Sequence, residues 1–189
     1  VANTMSSPYY RFDGVNDEIA IADNNHMSFG DGTTDNPFSI SAWVYMEDAT
    51  RFSFIHKGTY NSDAEWAFWA QEDDKMYFVL YDESQGSTFE GIYTSALTSY
   101  ENQWIHLVGT YNGVGGSSAL SGLKIYINGV LQSTTGIEGG SYVAMENLGD
   151  EVRIGNLNDT HYGQGSIACL RVWNKELTTS EIKDDYSGA

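Results

Sequence analysis

The stretch Phe38–Tyr45, Phe-Ser-Ile-Ser-Ala-Trp-Val-Tyr, decides the fold. Its apolar residues recur at every second position and form one face, made of Phe38, Ile40, Ala42 and Val44. That period of two is typical of a β-strand. The opposite face carries Trp43 and Tyr45 beside two serines, so we expect both faces to contact other parts of the protein. The stretch therefore predicts a central strand of a two-sheet sandwich.

Segments with the same strand-like pattern continue along the chain, with almost no helix between them. They cover residues 9–12, 18–22, 52–57, 65–71, 76–82, 89–94, 104–111, 123–127, 130–133, 151–154 and 166–173. Asn128-Gly129 predicts a hairpin turn, residues 112–122 a long loop, and residues 178–183 a capped helical turn. Short strands at a spacing of about 8–12 residues predict an all-β, two-sheet antiparallel jelly-roll sandwich. We expect one domain over residues 1–189, with its core at about 9–183.

Composition and charge argue against several classes of partner. The 189 residues include 9 Lys and Arg against 26 Asp and Glu, which gives a net charge of −17. Nucleic acids and anionic membranes are bound by basic patches, so neither is an expected partner. No apolar run approaches the roughly 18 residues that span a membrane, so no membrane insertion is expected.

The single cysteine and the first residues carry two further expectations. Cys169 lies within a strand-like pattern, so we interpret it as a small core residue rather than a nucleophile. The chain begins Val-Ala-Asn-Thr, with no initiator Met and no basic-then-apolar signal. We therefore expect a mature or excised piece, with other domains of a parent chain among its partners.

Several motifs occur in order along nearly the whole chain. They lie at residues 12–17, 38–44, 104–111, 124–129 and 165–174, followed by Leu177 and residues 181–182. Together they resemble the concanavalin A-like lectin and glucanase superfamily, in particular its laminin-G-like and pentraxin-like branch. The resemblance implies two curved antiparallel sheets, often a calcium ion, and binding of glycans or proteins at sheet edges and loops. It also implies that Trp104 and Trp173 pack the core, so we interpret Trp43, Trp104 and Trp173 as structural.

The pentraxin-like resemblance implies a calcium site between two loops. Its first half corresponds to Asn61 and Asp63, and its second half to Asn158 and Asp159. Carboxylate, amide and carbonyl oxygens are the ligands that calcium takes in proteins. Leu157 stands where that branch has a ligating Glu, so the resemblance leaves room for a single ion rather than two.

A second calcium site is implied by related bacterial sandwiches, in which one ion joins the first strand to the last. Here its ligands would be Asp13, Asn16, Asp17 and Asp31. Ala168 stands where those relatives have an Asp, so only its carbonyl could serve there. The alternative is that these Asp and Asn side chains close Asx-turns in their own loops.

Candidate ligand-binding residues are aromatic side chains near polar loops, because sugars stack their C–H faces on aromatic rings. Trp66 and Trp69 are an odd number of positions apart, so one points inward and the other outward. In the pentraxin-like arrangement, Tyr60, His161 and Tyr162 converge on the same region. The alternative for each of these residues is a packing role.

The signature of a polysaccharide-cleaving enzyme is incomplete. Glucanases of the superfamily carry Glu-x-Asp-x-x-Glu on one strand, where two carboxylates act as nucleophile and acid/base. The nearest match, at Glu72, Asp74 and Tyr77, lacks the last carboxylate and falls in an expected hairpin turn. We therefore expect that the protein is not an enzyme.

These observations favour a non-catalytic, calcium-binding module for carbohydrate binding or adhesion. We expect it in a larger extracellular or surface-exposed protein, whether secreted, on a cell surface or on a virion. Its expected partners are a glycan or a surface protein. The alternative is a structural or protein-interaction domain without sugar binding, such as a decoration of a phage particle or a bacterial surface module.

Overall fold

The structure, a computed structural model, describes residues 8–158 and 161–188, most of which lie in strands. The strands are β1 (Tyr9–Asp13), β2 (Ile19–Ile21), β3 (Phe38–Met46), β4 (Ser53–Lys57), β5 (Trp66–Ala70), β6 (Lys75–Asp82), β7 (Thr88–Ala96), β8 (Trp104–Tyr111), β9 (Leu123–Ile127), β10 (Val130–Leu131), β11 (Thr135–Gly139), β12 (Val152–Ile154), β13 (Asn156–Leu157), β14 (His161–Tyr162) and β15 (Gln164–Trp173). The α-helices are α1 (Ala119–Gly122) and α2 (Thr179–Ser187), and short 3-10 helices lie at Asn25–Met27, Thr98–Tyr100 and Gly116–Ser118.

The strands form two large antiparallel sheets. Six strands lie side by side in the order β1-β15-β3-β8-β9-β10, and seven in the order β11-β7-β6-β5-β4-β12-β2. Strands β13 and β14 pair as a small separate ribbon. Buried apolar residues of both large sheets meet in one main core between them. The prediction of an all-β, two-sheet antiparallel jelly-roll sandwich is confirmed, whereas the extent of the domain stays a prediction.

Strand β3 occupies the middle of the six-stranded sheet, between β15 and β8. The residues of its inner face have 0% exposure and belong to the main core; they are Phe38, Ile40, Ala42 and Val44. The opposite face is covered as well. Ser39 Oγ donates to the carbonyl of Lys175 and accepts the N–H of Leu177. The prediction that both faces contact other protein is therefore confirmed.

Phe38 lies at the centre of an aromatic cluster that joins the two sheets. Its ring stacks on Phe29, with centroids 4.3 Å apart. Across the core it meets Phe78 at 5.6 Å and Trp66 at 5.9 Å. Gly109 on β8 permits this close approach, because a Cβ there would lie 3.1 Å from the Phe78 ring. Truncating a core Phe to Ala typically costs about 3–5 kcal/mol, so this cluster contributes strongly to stability.

Helix α2 covers the outer face of the six-stranded sheet. Tyr186 stacks on Trp43, with ring centroids 5.4 Å apart. Asp185 accepts from Arg171 Nη1 at 2.7 Å and lies 3.2 Å from Nε2 of the buried His106. Burial lowers the pKa of His106 despite the opposing effect of Asp185. The neutral imidazole can therefore donate its Nε2–H to Asp185 and fasten the helix to the sheet.

Trp104 and Trp173, which the resemblance places in the core, lie with Trp43 on this outer face instead. Trp43 and Trp104 are 8% exposed and belong to one small cluster, while Trp173 packs in another with Ile182. All three have packing roles: Trp43 and Trp173 contact the C-terminal segment, and Trp104 packs against Tyr9 and Tyr45. Cys169 is half-buried at a bulge beside Trp43, so its interpretation as a core residue is wrong.

Most predicted strands are confirmed. The structure differs from the prediction most clearly in three segments. Residues 135–139 form β11 beside β7, although two glycines weaken the strand pattern there. The predicted loop at 112–122 contains α1 and a 3-10 turn. The predicted turn at 178–183 extends into α2, which begins with a capping box between Thr178 and Glu181.

A buried carboxylate, Asp35, joins three segments of the chain. Its Oδ2 accepts hydrogen bonds from the hydroxyls of Tyr111 and Tyr142, both at 2.7 Å. Its Oδ1 accepts the N–H of Met145 at 2.9 Å. Because Asp35 is only 4% exposed, water cannot replace these partners. The carboxylate therefore holds the segment 142–145 onto the sandwich.

We predict that Asp35→Asn destabilises the protein nearly as much as Asp35→Ala, because the amide would turn an N–H₂ group toward existing donors. Each variant should lower the free energy of unfolding by about 2–4 kcal/mol. Urea denaturation followed by fluorescence measures this loss. Asp184→Asn, at an exposed position on α2, is the matched control. Unchanged stability of Asp35→Asn would contradict the role of the carboxylate.

Candidate functional site

A row of mostly small residues crosses the outer face of the seven-stranded sheet. From β4 to β11, directly opposite one another in the register, lie His56, Ala67, Val79, Gly91 and Ile137. A Cβ on Gly91 would lie 2.7 Å from Cγ2 of Val79, so no larger residue fits at this point of the row. The middle of the row therefore forms a depression across the strands.

One aromatic wall borders this row. Trp69, Tyr77 and Tyr93 lie opposite one another on β5, β6 and β7, two positions along each strand from the row. The rings stack in sequence, with centroids 5.6 Å apart for the first pair and 4.9 Å for the second. Lys75 places its Nζ 4.9 Å from the centroid of Tyr93 at the far end of this wall.

A second aromatic wall borders the row on the other side. Tyr81 and Phe89 lie opposite each other on β6 and β7, with ring centroids 6.4 Å apart. Tyr60, on the loop after β4, extends this wall and lies 5.5 Å from Tyr81. Tyr60 is 43% exposed, whereas Tyr81 is 8% exposed. The three rings of this wall thus grade from the buried Tyr81 through the half-buried Phe89 to Tyr60, which reaches solvent.

Between the two walls lies a slot of about 340 Å³, called here the aromatic slot. This volume lies at the lower end of the range of small-molecule sites, roughly 300–1,000 Å³. Most of the lining is aromatic or aliphatic. The polar side chains that line it carry imidazole or amide groups, apart from the buried Lys57, and are His56, Gln71, Asn158 and His161.

The surroundings of His161 favour its uncharged imidazole. Burial lowers its pKa, the nearby Arg51 lowers it further, and Glu72 acts in the opposite direction. A neutral imidazole carries one donor and one acceptor. With the amides of Gln71 and Asn158, it gives the slot a polar end that suits hydroxyl or acetamido groups.

Three of the predicted ligand-binding side chains, Tyr60, Trp69 and His161, line the aromatic slot with their polar or aromatic groups. Tyr162 lies beside it, paired with Asn156 in the small ribbon. No observation tests ligand binding by these residues, so their role stays a prediction.

Trp66 borders the slot but is fully buried in the main core. Its Nε1–H donates to the carbonyl of Met27 at 2.9 Å. Trp69, by contrast, lies on the outer face of the same strand and packs in a cluster with Ala67 and with Val79 of β6. The prediction that the two tryptophans face opposite ways is therefore confirmed, and Trp66 has a packing role.

Several residues in or beside the slot are not predicted by the sequence. Tyr77, Val79 and Tyr81 share one face of β6, which their spacing of two already indicates. That spacing does not tell which face meets solvent, because this depends on the pairing of β6 within its sheet. Gly91 and Phe89 belong to the site through the same pairing.

The two loops of the first predicted calcium site border the same slot. Tyr60 and Ala64 line it from one loop, and Leu157 and Asn158 from the other. Asn158 Oδ1 is buried and accepts no hydrogen bond from the described residues. Asp159 lies outside the described residues. Calcium binding therefore stays a prediction at Asn61, Asp63, Asn158 and Asp159.

The second predicted calcium set consists of Asp13, Asn16, Asp17 and Asp31. Asp13 Oδ1 accepts the N–H of Val15 at 2.8 Å and that of Asn16 at 3.1 Å, and these bonds lower the pKa of Asp13. Asp31 Oδ1 accepts the N–H groups of the two following threonines at 2.9 and 2.8 Å. The carboxylates thus close their own turns, as the alternative proposes, and calcium binding here stays a prediction.

One other group of acidic side chains comes together in the described part of the chain. Oxygen atoms of Asp48, Asp74 and Glu101 lie within 4.8 Å of one another. Thr50 Oγ1 donates to Asp74 at 2.8 Å and the N–H of Ala49 donates to Glu101 at 3.1 Å. The group is therefore engaged by its own surroundings, and we assign no ion to it.

At one end of the slot, Lys57 and Glu65 form a fully buried ion pair at 3.4 Å. Lys57 Nζ also donates to Asp23 Oδ1 at 2.6 Å and to the carbonyl of Asp150 at 2.7 Å. Burial raises the pKa of Glu65 to about 7, against the opposing effects of the Leu148 N–H and Lys57. Burial therefore favours the protonated form of this carboxyl far more than for an exposed Glu.

The raised pKa of Glu65 makes stability depend on pH. Since the folded-state pKa of about 7 exceeds the ordinary value of 4.5, the folded state binds more protons between these values. The free energy of unfolding should then fall as pH rises through this window. We predict that, over this pH window, the free energy of unfolding of Glu65→Gln falls by about 1–3 kcal/mol less than that of the wild type.

Urea denaturation at about pH 5 and pH 8 measures the difference between the two values for each variant. Asp184→Asn changes the net charge in the same way and should keep the wild-type dependence. Parallel pH dependence in Glu65→Gln and the wild type would contradict the assignment.

Comparison with family models identifies the superfamily of the chain. A laminin-G-like model, described as the concanavalin A-like lectin/glucanases superfamily, matches residues 13–183. The chain belongs to this superfamily. The membership agrees with the sandwich, with its two antiparallel sheets, and with the motifs in the sequence.

Similar solved structures come from botulinum neurotoxin. The binding domain of serotype D is 20% identical at a TM-score of 0.68, over 98% of this chain and 43% of that one. The serotype D ligand binding domain in complex with N-acetylneuraminic acid is 20% identical at 0.66, over 95% and 42%. The receptor binding domain of mosaic serotype C/D is 19% identical at 0.63, over 94% and 45%. The chain spans less than half the length of these proteins, and the likeness shows the fold alone.

No curated protein sequence matches the chain. Within the part of the chain that the structure describes, no helix is long and apolar enough to span a membrane.

Proposed function

We propose that this protein is a non-catalytic glycan-binding module whose ligand lies in the aromatic slot. The observation that carries the proposal is the pair of aromatic walls on either side of the row of small residues, with amide and imidazole groups at one end. Sugar rings stack their apolar faces on such walls, and their hydroxyls bind such polar groups. One similar structure is described as a complex with N-acetylneuraminic acid and another as a receptor binding domain, which supports a binding role.

The chemistry of the slot supports binding without catalysis. Glycoside hydrolysis requires two carboxyl groups on either side of the scissile bond. Among the described residues that line the slot, none is Asp or Glu. Glu72 and Asp74, the nearest sequence match to the glucanase motif, fall between β5 and β6 rather than along a strand.

The proposed setting is a larger extracellular or surface-exposed protein in which the module mediates adhesion to a glycan or a surface protein. The net charge of −17 disfavours nucleic acid and anionic membranes as partners and is compatible with a neutral ligand. The similar neurotoxin domains are parts of longer chains, which supports a modular context.

We predict that Tyr60→Ala weakens glycan binding about tenfold, or ~1.4 kcal/mol, because it removes the exposed ring of one wall. A glycan array identifies ligands, and calorimetry with the strongest one measures the change. Tyr10→Ala is the matched control, since Tyr10 is 69% exposed on β1 of the other sheet. Val79→Phe should abolish binding by filling the slot, with thermal unfolding as the check that it folds.

Two results would contradict this proposal. One is the absence of wild-type binding to every glycan of the array, with calcium present. The other is an equal loss of affinity in Tyr60→Ala and Tyr10→Ala. Either result would favour a structural or protein-interaction module.

We further propose that calcium binds between the two loops at the end of the slot, through Asn61, Asp63, Asn158 and Asp159. The buried Asn158 Oδ1, which accepts no hydrogen bond from the described residues, supports this choice over the second set. The ion would supply the positive charge that holds oxygen-rich loops together. Its effect on the slot would be to fix the loop that carries Tyr60.

Calcium at a hundredfold excess over its Kd should stabilise the protein by about 2.7 kcal/mol, which raises its melting temperature by several degrees. Thermal unfolding in millimolar calcium and in chelator measures the shift. We predict that Asp63→Asn abolishes the shift and that Asp31→Asn retains it. The reverse result would assign the ion to the second set, and equal melting temperatures of the wild type would exclude both.

A further inference from the structure

We infer that the aromatic slot selects uncharged glycans and rejects acidic ones, such as sialylated chains or chains of uronic acids. This inference rests on the proposed function and names the ligand class of the same site. The inference rests on the cationic side chains around the slot. Among the described residues, each of these cations is paired with a carboxylate of the protein itself.

Lys57 lines the slot but cannot offer its charge to a ligand. Its side chain has 0% exposure. Its Nζ lies 2.6 Å from Asp23 Oδ1 and 3.4 Å from Glu65 Oε1, and it donates to two backbone carbonyls as well. The ammonium group is thus enclosed by the protein on the inner side of the slot.

The cations at the first wall are paired too. Arg51, close enough to His161 to lower its pKa, forms an ion pair with Glu72. Lys75, at the Tyr93 end of the wall, forms an ion pair with Asp73 at 2.8 Å. Each positive group at this wall therefore has a carboxylate beside it.

At the other end of the row, Arg153 lies directly opposite His56, where β12 pairs with β4. Its Nε donates to Glu151 Oε1 at 2.8 Å, and its Nη1 lies 4.0 Å from Glu18 Oε2. Two carboxylates thus compete with any ligand for this guanidinium.

None of the described cationic side chains around the slot would compensate the charge of an acidic sugar. Proteins bind carboxylate and sulfate groups through Arg or Lys whose charge is free for the ligand. Enclosing an anion without such a partner leaves its desolvation uncompensated, and the net charge of −17 adds long-range repulsion. Hydroxyl and acetamido groups need only the donors and acceptors that the Gln71, Asn158 and His161 side chains carry.

The inference is tested with matched pairs of glycans that differ in charge. We expect binding of lactose to exceed that of sialyllactose, and binding of galacto-oligosaccharides to exceed that of oligogalacturonates of equal length. Where the neutral member binds, the acidic member should bind at least about tenfold more weakly. The Kd of the neutral member should change less than about twofold between low and high salt, since no net charge is screened. Each pair is measured in calcium and in chelator.

A variant that adds a cation to the slot tests the converse expectation. Gln71→Lys places a cation in the lining of the slot, so it should strengthen binding of the acidic member at least about tenfold relative to the neutral one. Gln103→Lys makes the same change of charge at an exposed position before β8, on the other sheet, and should leave the preference unchanged.

The outcomes separate the inference from the proposed function. Binding of an acidic member by the wild type as tightly as its neutral counterpart, in calcium or in chelator, overturns the inference and leaves glycan binding intact. Equal gains in Gln71→Lys and Gln103→Lys overturn it as well, because the slot would not be the discriminating element. Absence of binding to any glycan, including the array, is the failure of the proposed function itself.

Discussion

The packing of Phe38 against the aromatic rings of the opposite sheet is the contact on which the rest of the structure depends. Phe38 lies on the central strand of one sheet, while Trp66 and Phe78 lie on neighbouring strands of the other. Because side chains alternate along a strand, anchoring Trp66 and Phe78 inward directs Trp69 and Tyr77 outward. The aromatic wall on the surface is thus a direct consequence of how the core is packed.

The sequence predicts the fold best where the residues of a strand carry their own signal. In β3 and β8, alternation alone assigns the apolar side chains to the correct face of each strand. It fails at Thr135–Gly139, whose two glycines carry little strand preference and whose conformation comes from pairing with β7. It also misplaces Cys169, because the bulge between Ala168 and Arg171 interrupts the period of two.

The candidate site could be predicted only in part, for a related reason. Tyr60, Trp69 and His161 were found because aromatic and imidazole side chains beside polar loops are typical of sugar sites. Tyr81 and Phe89 were not found, since their place in the slot depends on the register between their two strands. A pattern within one strand gives the two faces but does not say which of them the second sheet covers.

The hydrogen bonds of Asp35 have a kinetic consequence. They reach Tyr111, Tyr142 and Met145, at separations of 76, 107 and 110 residues along the chain. Contacts of such long range form slowly, because much chain entropy must be lost before they are made. We therefore expect the segment around Met145 to dock late in folding. Solvent exchange of the Met145 amide proton, which donates to Asp35, would report the release of this segment.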